Sequence, residues 1–141
     1  MKKKISDLLN EYIESGDTVE ACRCIRDLNV PLFHHEVVKR ALILAMERRS
    51  AELLILALLR EAAEEGLITS SHMSKGFGRL ADTIDDLSLD IIYAKNMFES
   101  LILKAVIEGW HSPASFRSIP SQLDGLAEQG NNYYLRVLSF L

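Results

Sequence analysis

His34, His35 and Glu36 follow one another in the sequence, and all three side chain types can ligate a metal ion. Neighbouring residues on a helix point about 100° apart, so the two adjacent histidine rings cannot readily hold one ion. The His-Glu-x-x-His spacing of zinc enzymes is also absent. We therefore predict an ordinary polar helix N-terminus here and no metal site.

A second candidate for chemistry is the acidic segment 85–90, which contains Asp85, Asp86 and Asp90. It lacks the residue order and the closing glutamate of a calcium-binding loop. Two interpretations remain, a solvated turn and a docking surface for a basic partner. Acidic residues in a loop between two rigid helices are well placed for recognition, and this favours the docking surface.

Cys22 and Cys24 are the only cysteines. Side chains two residues apart on a helix point about 200° apart. One thiol is therefore expected in the core and the other outside, and the two should not form a disulfide. Reduced thiols fit a cytosolic chain. No nucleophile, base and orienting group can be assembled from the sequence. The prediction is a binding module without catalytic centre, metal or cofactor.

Composition restricts the class of partner. The chain has 141 residues, 48% of them hydrophobic, which suits one domain with a continuous core. A net charge of −4 argues against a nucleic-acid-binding face and is compatible with a basic protein partner. The longest apolar run, residues 53–59, is far shorter than the roughly 20 residues of a membrane span.

The elements that must position these residues are helices. Apolar residues recur at the helical period, and good helix formers dominate the composition. Six amphipathic helices are predicted, over residues 3–15, 17–29, 34–48, 50–65, 69–83 and 93–108. Short connections make sequence neighbours pack as antiparallel hairpins, so the predicted fold is an all-α, HEAT-like α-solenoid of six to seven helices.

Several local features refine this prediction. Asp17 and Glu20 form a capping-box-like pair at the start of the second helix, and Ser50 is expected to cap the fourth. The second helix should bury Val19, Cys22, Ile25 and Leu28. The fourth helix is apolar nearly all round, from Leu53 to Leu59, which is typical of a helix between two neighbours. Gly76 and Gly78 lie inside the fifth helix and are expected to mark close packing.

The last 31 residues differ in character, with two prolines and few charges. We expect a helical domain over residues 1–110 and a divergent tail over 111–141, made of short helices or partly disordered. The apolar end of the tail, from Tyr133 to Leu141, is a candidate for self-association.

Five segments together resemble one known family. They contain the residues 11–17, 33–39, 66–70, 73–77 and 87–90. In this order and spacing they resemble the MI domain of programmed cell death protein 4 and initiation factor 4G, and especially plant proteins with several such domains in tandem. The resemblance covers residues 5–110, and the family fold is a bundle of stacked helical hairpins.

The resemblance implies a partner, translation initiation factor 4A, which is a two-lobed DEAD-box RNA helicase. In the family, acidic side chains meet the basic, RNA-binding face of the helicase and inhibit cap-dependent translation. The positions that match here are Glu11, Glu47, Asp86 and Asp90, and all four are acidic. The expected location is the cytoplasm, with the nucleus as an alternative, and contact with the ribosome through a longer protein is also expected.

The sequence departs from the family pattern at Ile92, where the family often has proline. The departure predicts a less rigid acidic loop and a lower affinity. The alternative function is a structural helical-repeat module that binds a different protein or associates with itself through the apolar tail.

Overall fold

The computed structural model describes residues 2–29 and 33–107, and these residues form α-helices and no strand. The predicted all-α stack of HEAT-like hairpins is confirmed. The tail 111–141 and its apolar end lie outside the described residues. The helices are α1 (Lys2–Ser15), α2 (Thr18–Asp27), α3 (His34–Glu47), α4 (Glu52–Glu64), α5 (Ser70–Asp82), α6 (Ile84–Asp90) and α7 (Ala94–Ile107).

Helix α3 lies at the centre of the stack and packs against α1, α4, α5 and α7. Its sequence explains this position, because Val37, Val38, Ala41, Leu42 and Ala45 are all buried and cover more than one face. Helix α2 packs against α1 and α4 on one side of the molecule, and α6 packs against α5 and α7 on the other. The core therefore runs continuously through α3 from one end of the stack to the other.

Tyr12 ties three helices together at the α1–α2 turn. Its hydroxyl donates a hydrogen bond of 2.6 Å to the backbone oxygen of Leu54 in α4 and lies 3.3 Å from the hydroxyl of Thr18 in α2. The ring is 2% exposed, so the hydroxyl finds its partners inside the protein. Gly16, at φ +68°, makes the tight turn that brings α2 back against α1.

The predicted cap of α2 is confirmed in one half. Asp17 accepts a hydrogen bond of 3.1 Å from the backbone N–H of Glu20. The reciprocal half is wrong, because the Glu20 carboxylate bonds Arg23 and the Asp17 N–H donates to Ser15 Oγ instead. The predicted cap Ser50 is also wrong, since it lies within a 3-10 turn (Arg49–Ala51) that precedes α4.

The largest correction concerns the acidic segment, which is the helix α6 and not a loop. Ile84 is buried and Leu87 half-buried on one side, while the acidic side faces solvent. Asp85 and Asp86 lie in the first turn, where negative charge interacts favourably with the helix dipole. The clustered acids therefore help a short helix to form and do not prevent one.

Two apolar residues that were expected in the core face solvent. Val19 is 76% exposed at the start of α2, and Leu53 is 79% exposed at the start of α4. Each lies in the first turn of its helix, where the surrounding helices no longer cover it. The other members of the α2 stripe behave as predicted, with Cys22 and Ile25 buried and Leu28 half-buried.

The packing of α3 against α5 depends on Gly76. A Cβ at this position would lie 2.6 Å from Val38 Cβ and 2.9 Å from the backbone oxygen of His35. The two helices can approach this closely only because the side chain is absent. Gly78 was expected to do the same, but a Cβ there would meet nothing within 4 Å, so that expectation is wrong.

The two glycines provide a matched test of this packing. We expect Gly76→Ala to lower the free energy of unfolding by about 1–3 kcal/mol, because the methyl group forces α3 and α5 apart. Gly78→Ala should raise it by up to about 1 kcal/mol, because alanine favours the helix and the space is open. Urea denaturation followed by circular dichroism measures both. Equal effects of the two substitutions would contradict the assigned role of Gly76.

Helix α5 begins with a capping box that contains a titratable group. Thr69 Oγ1 accepts a hydrogen bond of 3.2 Å from the His72 N–H, and His72 Nδ1 accepts one of 3.1 Å from the Thr69 N–H. Burial lowers the pKa of His72, and the neighbouring charges of His34, His35 and Lys75 lower it further. The ring accepts the hydrogen bond only when Nδ1 carries no proton.

This cap makes stability depend on pH in one direction. Because the pKa of His72 is lower in the folded state, the unfolded chain takes up the proton first, and stability should fall as pH drops below about 6.5. Losing a cap costs on the order of 1 kcal/mol. His72→Gln retains an acceptor that does not titrate. Denaturation at pH 7.5 and 5.5 should show a smaller loss for this variant than for the unaltered protein, and an equal loss would exclude His72 as the group responsible.

Candidate protein-binding surface

The four acidic residues implied by the family resemblance are all exposed: Glu11 on α1, Glu47 at the end of α3, and Asp86 and Asp90 on α6. None of the four forms an ion pair within the described parts of the chain. Six other carboxylates there do form ion pairs, namely Glu20, Asp27, Glu36, Glu52, Glu65 and Asp85. The four residues are thus carboxylates that the fold does not neutralise.

Asp86 and Asp90 are one helical turn apart and face the same way. Like charges at this spacing repel each other and destabilise a helix by about 0.2–0.5 kcal/mol. Asp85, beside them, contacts Lys95 of α7 at 3.1 Å. The basic side chain therefore neutralises Asp85, while Asp86 and Asp90 remain available to a partner.

The end of α6 also carries an apolar corner, made of Leu89, Ile92 and Tyr93. Their exposed fractions are 84%, 74% and 72%. Tyr93 has a φ of +63°, in the left-handed region that a bulky residue avoids. Such a conformation costs on the order of 1–3 kcal/mol and occurs most often at functional sites. Charged and apolar groups thus meet on one exposed surface, as they do at protein interfaces.

Two residues of this corner carry signals in the sequence: Leu89 lies in the family segment 87–90, and Ile92 replaces the family proline, whereas Tyr93 is not predicted as part of a surface. The described geometry replaces the expected flexible loop with a helix whose last turn closes through a 2.8 Å hydrogen bond from the Ile91 N–H to the Leu87 oxygen. The available signal was that Ile92 and Tyr93 fall outside the helical stripe of Ile84, Leu87 and Ile91, which packs against the core.

Glu11 and Glu47 lie on the two flanks of α1. Glu11 lines a groove between α1 and α2, whereas Glu47 lines a smaller cleft of about 200 Å³ between α1 and α3. Asn10 borders both depressions, so both depressions lie beside the same part of α1. The structure therefore places Glu11 and Glu47 beside α1 and places Asp86 and Asp90 on α6, while α3 contacts both α1 and α7.

The remaining chemical candidates have structural partners. Cys22 is buried, and burial raises the pKa of its thiol to about 11, so the thiol stays protonated at neutral pH. Burial and the nearby Glu20 also raise the pKa of Cys24. The His34 ring bonds the backbone oxygen of Leu67 at 3.0 Å and packs edge-on against His72. Residues 2–29 and 33–107 contain no group of three or more His, Cys, Asp or Glu placed to hold a metal ion.

None of the helices that the structure describes combines the length and the apolar character required to cross a bilayer.

Comparison with known proteins identifies relatives of this chain. The family model described as the MA3 domain matches residues 1–112. The chain is 60% identical over 124 residues to MA3 domain-containing translation regulatory factor 4 of Arabidopsis thaliana, covering 88% of this chain and 20% of that protein. It is also 60% identical over 124 residues to MA3 domain-containing translation regulatory factor 1 of the same plant, covering 88% of this chain and 17% of that protein.

A more distant relative is programmed cell death protein 4 of Homo sapiens, which is 37% identical over 102 residues, or 71% of this chain and 22% of that protein. The chain thus spans about a fifth of the length of the relatives it matches. The family model covers most of the chain, and its match agrees with the helical stack described above. The chain therefore belongs to the MA3 family, whose domain is also called the MI domain.

Proposed function

We propose that this domain binds translation initiation factor 4A, a DEAD-box RNA helicase, and thereby inhibits cap-dependent translation. Its relatives are named translation regulatory factors and programmed cell death protein 4, which supports a role in translation. The domain acts as a protein-binding module and not as an enzyme. We propose the cytoplasm as its site of action, with the nucleus as the alternative.

The observation that carries the proposal is the exposed pair of Asp86 and Asp90 on α6, which has no ion-pair partner among the described residues and adjoins the apolar corner. Glu11 and Glu47 are two further exposed carboxylates without such partners, and they lie beside α1. Internal ion pairs do not use these charges, and Asp86 and Asp90 repel each other. A helicase face that binds the phosphates of RNA is basic and would complement them. The negative charge of the same carboxylates would repel free nucleic acid from this domain.

The proposed mechanism is competition. A domain seated on the RNA-binding face of the helicase would occupy the place of the RNA backbone and hold the two lobes in an unproductive arrangement. Opposite charges also speed the encounter of the two proteins, and salt screens them over a Debye length of about 8–10 Å. Binding should therefore weaken as salt increases.

The apolar corner at Leu89, Ile92 and Tyr93 contributes a second kind of contact. Interfaces depend on a few well-packed side chains, among which tyrosine is common, surrounded by polar groups. Because the corner is held at the end of a helix before binding, less conformational entropy is lost on association. We propose that Tyr93 packs against the helicase while Asp86 and Asp90 bind its basic side chains.

The same corner favours a second candidate function, a structural interaction module with a different protein partner or with another copy. An exposed apolar cluster is compatible with either. Analytical ultracentrifugation distinguishes self-association, because it would give a dimer fraction that rises with concentration. Loss of the dimer on Leu89→Ser with Ile92→Ser would assign it to the corner, and loss on deletion of residues 130–141 would assign it to the apolar tail predicted from the sequence.

The central prediction concerns the acidic pair on α6. We expect Asp86→Asn with Asp90→Asn to weaken binding of purified initiation factor 4A at least tenfold, and Asp86→Lys with Asp90→Lys to weaken it further, because the charge is first removed and then reversed. Titration by isothermal calorimetry or fluorescence anisotropy measures both changes. Circular dichroism confirms that each variant retains its helices.

The matched control reverses one other exposed acid, Glu64, which ends α4 and has no ion pair among the described residues. Glu64→Lys changes net charge by the same amount as Asp86→Asn with Asp90→Asn. It should leave the affinity within about threefold, because α4 contributes no residue to the proposed surface. If the control weakens binding as much as the α6 variant, the effect belongs to net charge and the proposed surface is wrong.

Tyr93 allows binding to be separated from folding. Glycine tolerates the φ of +63° that strains the tyrosine backbone, and the exposed ring contributes little packing. We expect Tyr93→Gly to leave the free energy of unfolding unchanged or raise it by about 1 kcal/mol, while helicase affinity falls at least fivefold. Affinity equal to that of the unaltered domain would exclude the corner from the interface.

A further inference from the structure

A long groove lies between α1 and α2, away from the acidic pair on α6. It consists of two depressions of about 500 and 360 Å³, and both are lined by Leu8, Glu11 and Cys24. The shared residues make the depressions continuous. Lys4 and Ser15 border the two ends, and at about 1.5 Å per residue along α1 the groove is roughly 16 Å long. This length matches about three turns of a helix.

The floor of the groove is apolar. Leu8, Tyr12 and Ala21 form the deeper part and belong to the core, while Cys24 and Leu28 are half-buried and remain accessible from the groove. Half-buried apolar atoms at the bottom of an open groove gain free energy when another apolar side chain covers them. The floor therefore favours an apolar anchor.

The rim of the groove is acidic. Its lining contains one basic residue, Lys4, and six carboxylates, which belong to Asp7, Glu11, Glu14, Asp17, Glu20 and Asp27. Arg23 forms ion pairs with both Glu20 and Asp27 and balances one of their two charges, and Asp17 caps α2. No residue within the described ranges forms an ion pair with Asp7, Glu11 or Glu14. The rim thus keeps a negative charge that the fold leaves uncompensated.

The combination selects one kind of occupant. A negative rim repels nucleic acids, anionic lipids and phosphorylated ligands, and it attracts lysine and arginine. The described helices offer no sheet edge to an extended peptide, whereas a helix satisfies its own backbone hydrogen bonds. We propose that the α1–α2 groove binds a basic amphipathic helix of a protein partner, with apolar side chains on the floor and basic side chains on the rim.

This inference goes beyond helicase binding. Glu11 is the only residue shared with the surface proposed above, and α6 lies at the other end of the stack. One domain can therefore hold two basic segments at once, either from two proteins or from two parts of one. The groove can be tested without the helicase, and variants that leave Glu11 intact keep the two proposals separate.

The test uses a fluorescein-labelled peptide of 14 residues, built from leucine and lysine with the leucines on one helical face, and the full chain as its receptor. Fluorescence anisotropy should show saturable binding. A peptide with serine in place of leucine has the same charge and should bind at least tenfold more weakly, because the apolar anchor is gone. Equal binding of the two peptides would mean charge attraction alone and would overturn the groove as the site.

Receptor variants then locate the peptide. Asp7→Lys with Glu14→Lys should weaken leucine–lysine peptide binding at least tenfold, because both residues line the groove. Glu64→Lys with Asp82→Lys makes the same change in net charge elsewhere and should stay within about threefold. Asp86→Asn with Asp90→Asn should also stay within threefold, whether or not it binds the helicase. A control variant that loses as much affinity as the groove variant would refute the location.

Cys24 provides a second measurement that does not depend on charge. It lines both depressions and is partly accessible, whereas Cys22 is buried. In a Cys22→Ala variant, saturating peptide should slow the labelling of Cys24 by a maleimide reagent at least fivefold, because the peptide covers the floor. An unchanged labelling rate under conditions where anisotropy shows full binding would place the peptide elsewhere and contradict the proposal.

Discussion

The close approach of α3 and α5 at Gly76 is the constraint on which the described fold depends. Helix α3 contacts four other helices, and one of these contacts requires that position 76 carry no side chain. With α5 held against α3, the α6–α7 part of the molecule is joined to the α1–α2–α4 part by one continuous core. The exposed acids on both sides are therefore held in fixed positions by a single scaffold, and a partner that meets a fixed surface loses less conformational entropy on binding.

The acidic side chains fall into two groups with different physical roles. Carboxylates such as Glu36 and Glu52 pair with Arg40 and Lys104, and these pairs lie partly shielded from solvent. The more exposed pairs of Arg23 with Glu20 and Asp27 contribute little to stability, so their main effect is to reduce the charge of the surface. Asp86, Asp90, Glu11 and Glu47 are among the carboxylates left outside this pairing, and they keep their negative charge at the surface.

Sequence patterns predicted the helices well where interactions between residues close in sequence determine the structure. The glycine turn at Gly16 and the Asp17 cap are local effects, readable from adjacent residues, and both occur. Gly76 and Gly78 look alike in sequence, and only the position of Val38 in another helix distinguishes them. The acidic segment was predicted as a loop because clustered charges are typical of solvated turns, and the two apolar residues Ile84 and Leu87 are too few to define a helical stripe. The exposure of the four acids agrees with the family resemblance, whereas their binding role stays a prediction. The left-handed backbone of Tyr93 depends on tertiary structure, and no sequence pattern predicts it.

The central position of α3 also affects how freely the sequence can vary. Among the described residues, helices α2 and α6 each have neighbouring helices on one side only. A substitution on their outer faces leaves the contacts of α3 intact, so its effect on folding stays small. The two ends of the stack can therefore acquire new partner preferences one residue at a time, while the middle retains the shape that all of them share.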